Sequence, residues 1–234
     1  MRLLLTGAGG RLAGAVARRL ARRADIALTT EALDLADRAA TEARLRAAAP
    51  EVVVHALARP GGAPQRRLAD TVIATANLAL AVGRAAPAAR LLLLSCSSVY
   101  GATAAPVRLA ETDLAAPSDV DGIAVLAAER CAGAACARGG VPFTVLRVFD
   151  QDDGAPPPGL VRDLVDPDDV ARAVAAVLDG DVWGAIVNVG SGVGTPPAGP
   201  TTAWRVADPA RCEALLGFRP GADERGARAA GGGR

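Results

Sequence analysis

The stretch LLLTGAGGRLAG, residues 3–14, holds the residues whose spacing most directly implies chemistry. Gly7 closes an apolar run, Gly10 follows three residues later and Ala13 three after that, a G-x-x-G-x-x-A pattern opening a helix-like segment. Glycines there allow a tight turn and close backbone approach to a pyrophosphate. The helix start supplies free N–H groups and the positive end of its dipole. Ala13, in the place of a third glycine, is small enough for close helix–strand packing. A second stretch, PSDVDGIAVLAAERC at 117–131, reads as a helix start, with Ser118 or Asp119 as cap and Asp121 in the first turn. Metal chemistry is not expected. Cys96, Cys131, Cys136 and Cys212 form no C-x-x-C pair, and the single histidine, His55, cannot join them in a zinc site at usual spacing. Reduced thiols follow, and His55, inside an apolar run, reads as a packed core residue rather than a catalyst.

The elements that must position these residues alternate. Apolar, strand-like runs occupy 2–7, 26–30, 51–58, 90–101, 142–149 and 184–190. Helical patterns lie between and after them at 10–24, 38–49, 69–86, 119–138, 166–178 and 208–218. Asp166 is the expected N-cap of the fifth helix, with Pro167 in its first turn, and Gly217 ends the last. Such alternation predicts an α/β fold: a doubly wound parallel sheet with helices on both faces. The 234 residues suit one domain. Its core is expected over about 1–150, followed by a C-terminal region over about 151–225 and a frayed tail at 226–234. With 51% hydrophobic but 3% aromatic residues, the interior must be built of alanine, leucine and valine. Net charge is +1 without a basic block, so no nucleic-acid partner is expected. No apolar run approaches about 18 residues, and the apolar start is too short for a signal peptide. No membrane partner and a cytoplasmic location are therefore expected.

In order along the chain, TGAGGRLA, ALTTEALDLAD, VVVHALA, TVIATANLALA, SCSSVYG, VRDLVDPDDVARAV, VNVGSG and VADPARCEALLGFRP resemble the motifs of extended short-chain dehydrogenases/reductases. This is the family of NAD-dependent nucleotide-sugar epimerases, dehydratases and dTDP-4-dehydrorhamnose reductases. The resemblance covers almost the whole chain and implies a Rossmann-type fold, with the C-terminal region over about 151–225 as a reduced substrate subdomain. By position it implies that Gly7, Gly10, Arg11 and Leu12 line the pyrophosphate and adenosine, that Asp34 and Leu35 flank adenine, and that Ala56 and Leu57 pack near the nicotinamide-side ribose. Thr6, Gly9, Thr30 and Ala58 complete the cofactor-binding set. ALTTEALDLAD is expected to supply a second and a third strand. Thr29, Thr30 and Arg11 tilt the cofactor expectation to NADPH over NADH, whereas Glu31, an acid at the end of the second strand, argues for NADH. Family members often dimerise through two helices, which implies a homodimer packed on the alanine face of Ala124, Ala127, Ala128, Ala132 and Ala135.

At the catalytic positions the pattern breaks. The family uses Ser/Thr and a Tyr-x-x-x-Lys pair on one helical face. Counting back from Tyr100 puts Cys96 in the Ser/Thr slot. Aligning DGIAVLAAE through Gly122 and Glu129 puts Asp121 in the tyrosine slot and Val125 in the lysine slot. All 26 basic residues are arginine, so no lysine is available anywhere. A tyrosine, titrating at about 10, needs a cation to lower it, whereas a carboxyl at about 3.9 needs the opposite, so losing the lysine removes a charge that would hold Asp121 ionised. The interval LRVFDQDDGAPPPGLVRDLV is also too short for the family's substrate lid. The expected function is NAD(P)H-dependent reduction of a carbonyl on a keto-sugar or other natural-product intermediate. The proton would come from Asp121, with Cys96 and Ser97 as further catalytic candidates and Ser98, water or the small-molecule substrate as other sources. A catalytically inactive dinucleotide-binding subunit and a sugar epimerase or dehydratase are the alternatives.

Overall fold

The computed structural model describes residues 1–7, 10–57, 63–150 and 158–221. In chain order the elements are β1 (Arg2–Thr6), α1 (Arg11–Leu20), β2 (Ala27–Glu31), α2 (Arg38–Ala48), β3 (Val52–Ala56), α3 (Pro64–Ala85) and β4 (Arg90–Cys96). A 3-10 turn over Ser97–Tyr100 follows, then β5 (Arg108–Leu109), α4 (Val120–Gly139), β6 (Phe143–Val148), β7 (Leu160–Arg162), α5 (Pro167–Gly180), β8 (Ile186–Val189), β9 (Ala203–Ala207) and α6 (Ala210–Leu216). Six parallel strands form the main sheet in the order β2-β1-β3-β4-β6-β8.

The strands are short apolar runs because both faces of the sheet are covered. Leu3 and Leu5 of β1, and Val52 and Val54 of β3, enter one buried cluster with Val16 of α1, Val170 and Val174 of α5 and Leu216 of α6. Leu4 and Val53, on the opposite face, join Leu45 of α2, Leu78 and Val82 of α3 and Cys136 of α4. Ala13 is buried against the strands, as its place in the glycine loop requires. Helix starts are capped where the sequence offers an acid. Asp37 accepts from the Ala40 N–H at 2.9 Å, Asp119 from Gly122 at 2.7 Å and Asp166 from Asp168 at 2.7 Å.

The structure departs from the sequence-based expectation in several places. ALTTEALDLAD forms one strand and a turn, since Asp34 accepts from the Ala36 N–H at 3.0 Å and closes the backbone before a third strand can begin. The run 90–101 is strand only to Cys96, and SSVY coils into the 3-10 turn. Beyond residue 150 the chain returns to the main fold, where β8 is the edge strand of the main sheet and α5 packs on α1. Beside the main sheet, β5, β9 and β7 form a separate three-stranded sheet that periodicity in such short segments did not reveal. Leu68–Ala85 of α3 is long and apolar enough, by length and composition only, to cross a membrane. In the fold, α3 lies against α2 and α4.

The alanine face assigned to a dimer contact is largely used inside the chain. Ala124, Ala128 and Ala132 are buried, and Gly83 of α3 meets Gly139 of α4 at backbone contact distance. The outer faces of these two helices instead expose Ile73 (51%) and Ile123 (48%).

Candidate functional site

The chain leaves β1 for β2 on one side of the sheet and returns for β3 on the other, so the order reverses between β1 and β3. Open α/β sheets bind ligands at such a point, outside the carboxyl ends of the strands. Thr6, Gly7, Ala56 and Leu57 meet there. Gly7 has φ +78°, and a Cβ on it would lie 2.0 Å from the Ala56 carbonyl oxygen, so only glycine lets the loop leave β1 this close to β3. Gly10 is the N-cap of α1, with nothing within 4 Å of where a Cβ would stand. Unlike α2, α4 and α5, α1 has no side chain capping its start, and it has no acid in its first turn. The positive end of its dipole therefore meets no acid of its own first turn.

His55 ties the strand ends together beneath this loop. Its Nδ1 is 2.8 Å from Thr6 Oγ1 and its Nε2 3.4 Å from Thr75 Oγ1. Thr75 Oγ1 donates to the Thr71 carbonyl, so Nε2–H donates to Thr75 and Nδ1 accepts from Thr6. Burial pushes the imidazole down to about 4. The ring is thus a neutral cross-link, as its place in an apolar run suggested. Between pH 6.5 and 4 the unfolded chain binds a proton that the folded chain refuses, so this contribution is complete above the unfolded value and lost as pH falls. Acidification from pH 7 to 5 is expected to remove about 2 kcal/mol of stability through His55. Urea midpoints measured across that range should fall for the wild type and stay nearly level for His55→Gln.

The second half of the site is built at the end of β4. Gly122, in the first turn of α4, lies so close to the 3-10 turn that a Cβ would stand 2.5 Å from the Ser98 carbonyl oxygen. This contact sets Asp121, its exposed neighbour, beside the segment that follows Cys96. Cys96 is half-buried, and Val125 packs on the main core cluster. Ser97 is fully buried, with no hydrogen-bond partner for its Oγ. Tyr100, the only tyrosine, is buried as well. Its hydroxyl donates to Asn188 Oδ1 at 2.9 Å and accepts from Arg147 at 2.9 Å, and burial pushes the phenol above its usual range.

A model of the NAD dependent epimerase/dehydratase family matches residues 3–151, more than half of the chain. The chain belongs to this family. Its fold is that of UDP-glucose 4-epimerase from Thermotoga maritima, solved with UDP-glucose (TM-score 0.80, 19% identity, 94% of each chain covered). It is likewise that of UDP-glucuronic acid 4-epimerase from Bacillus cereus with NAD (0.80, 18%, 94% of each). A dTDP-glucose 4,6-dehydratase from Bacillus anthracis with NAD is equally similar (0.80, 16%, 94% of this chain and 92% of that one). No curated protein matches the sequence.

The family's dinucleotide fits what the switch point offers: the open space at Gly10, the uncapped start of α1 and the close Gly7–Ala56 contact. Arg11 is exposed and Leu12 half-buried in that first turn. Thr30 is exposed at the end of β2, beside Glu31. Asp34 is exposed in its turn, which Asn77 of α3 holds through the Leu35 carbonyl at 2.9 Å. Leu35 itself is buried in the core cluster under α2 and α3. Gly9 and Ala58 lie outside the described residues.

Sequence reasoning missed three supports of the site. Arg147 and Glu129 form a buried ion pair under the end of β4, and a charged residue inside the apolar strand VLRV was the available signal. Asp163 accepts from the Ser191, Gly192 and Ala207 N–H groups at 2.8–3.1 Å and ties the small sheet to the loop after β8. Arg44 of α2 pairs with Glu31. No local pattern pointed to that contact.

Proposed function

We propose that this chain transfers hydride between a nicotinamide dinucleotide and the carbonyl carbon of a keto-sugar or related natural-product intermediate, with Asp121 moving the proton. What supports this reading is the Gly122–Ser98 contact, which brings the first turn of α4, with its exposed Asp121, against the turn that follows β4; the family resemblance puts Asp121 in the tyrosine slot. A bound dinucleotide supplies or accepts the hydride. In the reducing direction the carbonyl carbon gains that hydride and its oxygen takes the Asp121 proton. In the reverse direction the carboxylate accepts the hydroxyl proton. Val125, packed on the core, brings no charge to this step. Tyr100, buried and held by Arg147 and Asn188, is not available to it.

General acid–base groups contribute roughly 100- to 10,000-fold. Asp121→Asn is accordingly expected to lower kcat at least about 100-fold while leaving NADH affinity within about twofold. Dinucleotide oxidation would be followed against a panel of keto-sugars and polyketide ketones. Turnover unaffected by Asp121→Asn would sink this role.

A second reading is a dinucleotide-binding subunit without catalysis. Val125 in the lysine slot, a chain without lysine and the burial of Ser97 favour it. NADH binding with no turnover on any substrate of the panel would select it. Self-association, expected from the family resemblance, is placed by the same proposal on the outer face of α3 and α4 around Ile73 and Ile123.

A further inference from the structure

Glu31 is the last residue of β2 and is in register with Thr6, the residue before Gly7. Its carboxylate therefore stands at the strand end that flanks the glycine loop. The side chain is 18% exposed. Arg44 reaches it from the middle of α2. Both its Nε–H, at 2.5 Å, and one terminal N–H donate to the same oxygen, Oε1. Oε2 has no partner among the described residues. One oxygen is thus anchored and the other is left to accept.

A carboxylate in this position accepts from a ribose 2′-hydroxyl and repels a 2′-phosphate. A guanidinium nearby is the usual receptor for that phosphate, but here it is committed to Glu31. A 2′-phosphate would have to draw Arg44 away and leave a half-buried carboxylate facing a second anion. Thr29 and Thr30, whose hydroxyls tilted the sequence reading to NADPH, add no charge against this.

We propose that Arg44 is a specificity-determining residue: by holding Glu31 Oε1 it fixes the carboxylate for the ribose diol and withholds its own guanidinium from a 2′-phosphate, so that the chain prefers NADH to NADPH. This rests on the dinucleotide-binding reading above.

The test is titration of the full chain with NADH and with NADPH, for the wild type, Glu31→Gln, Arg44→Leu and the double variant. The wild type should bind NADPH at least about tenfold more weakly than NADH, a difference of about 1.4 kcal/mol. Glu31→Gln should release Arg44 and reverse the preference. Arg44→Leu should weaken NADH several-fold, and the double variant should lose the NADPH gain. Each preference is a ratio taken on one sample, so a loss of folded protein cancels. Tighter or equal NADPH binding by the wild type, or a ratio unchanged within about twofold in Glu31→Gln, would overturn the proposal alone. Failure of the wild type to bind either nucleotide would overturn the dinucleotide site and this selection with it.

Discussion

Gly7→Ala is expected to destabilise the fold by about 3 kcal/mol or more and to abolish dinucleotide binding. Two costs coincide. A residue with a Cβ is strained at φ +78°, and the new methyl would stand 2.0 Å from the Ala56 carbonyl oxygen and 3.0 Å from its carbon. The obstacle is the backbone of a central strand rather than the end of a flexible side chain, so β1 and β3 would have to part where Thr6 and His55 are cross-linked. Gly10→Ala is the informative control. Its backbone is ordinary and no atom of the described residues lies within 4 Å of the new methyl. Its stability should change by less than about 1 kcal/mol. Its NADH affinity should fall at least about tenfold, because the methyl enters the space before the start of α1. Urea midpoints and NADH titrations of the two variants separate the effects. A wild-type midpoint for Gly7→Ala would show that the two strand ends are not packed this closely.

Arg147→Met is expected to cost about 3–5 kcal/mol, since it strands a buried carboxylate. Arg147 and Glu129 have side chains only 3% and 4% exposed, with Arg147 NH2 2.8 Å from Glu129 Oε2. The same guanidinium donates to the Tyr100 hydroxyl and lies over its ring, 4.9 Å from the centroid. Ser95 of β4 donates to the other oxygen of Glu129. The pair therefore joins α4, β4, β6 and the 3-10 turn, the elements that hold Asp121 and Cys96. Replacing both members, as Arg147→Met with Glu129→Leu, removes both charges and should recover most of the loss. Thermal or urea unfolding of the three proteins gives the coupling directly. A double variant no better than Arg147→Met would show that the hydrogen bonds to Tyr100 and Ser95, not the stranded charge, carry the cost.

Much of this fold was legible in the sequence because its signals are local. The glycine loop, the capped start at Asp166–Pro167 and the Gly217 stop each depend on the conformation of a few consecutive residues, and each stands where the pattern put it. The apolar strand runs were equally clear, since a strand covered on both faces is apolar at most of its positions. The short strands β5, β7 and β9 were not legible. Two to five residues carry no usable period, and they are strands only because they pair with each other. The expected third strand failed for a related reason, because the Asp34 side chain satisfies its own turn before a sheet partner can.

The candidate site divides the same way. By itself the sequence determined the residue types: a glycine loop, an acid in the tyrosine slot, a valine in the lysine slot and no lysine in the chain. Tertiary structure decided which of them reach one another. It buried Ser97 and Tyr100, turned Ala124, Ala128 and Ala132 inward and set Asp121 beside the end of β4 through a backbone contact of Gly122. It also paired Glu31 with Arg44, 13 residues apart, and Arg147 with Glu129, 18 apart. Spacing along one helix or strand fixes which side chains share its face. Burial and charge pairing between elements depend on how those elements pack, and only the folded chain brings such partners within bonding distance.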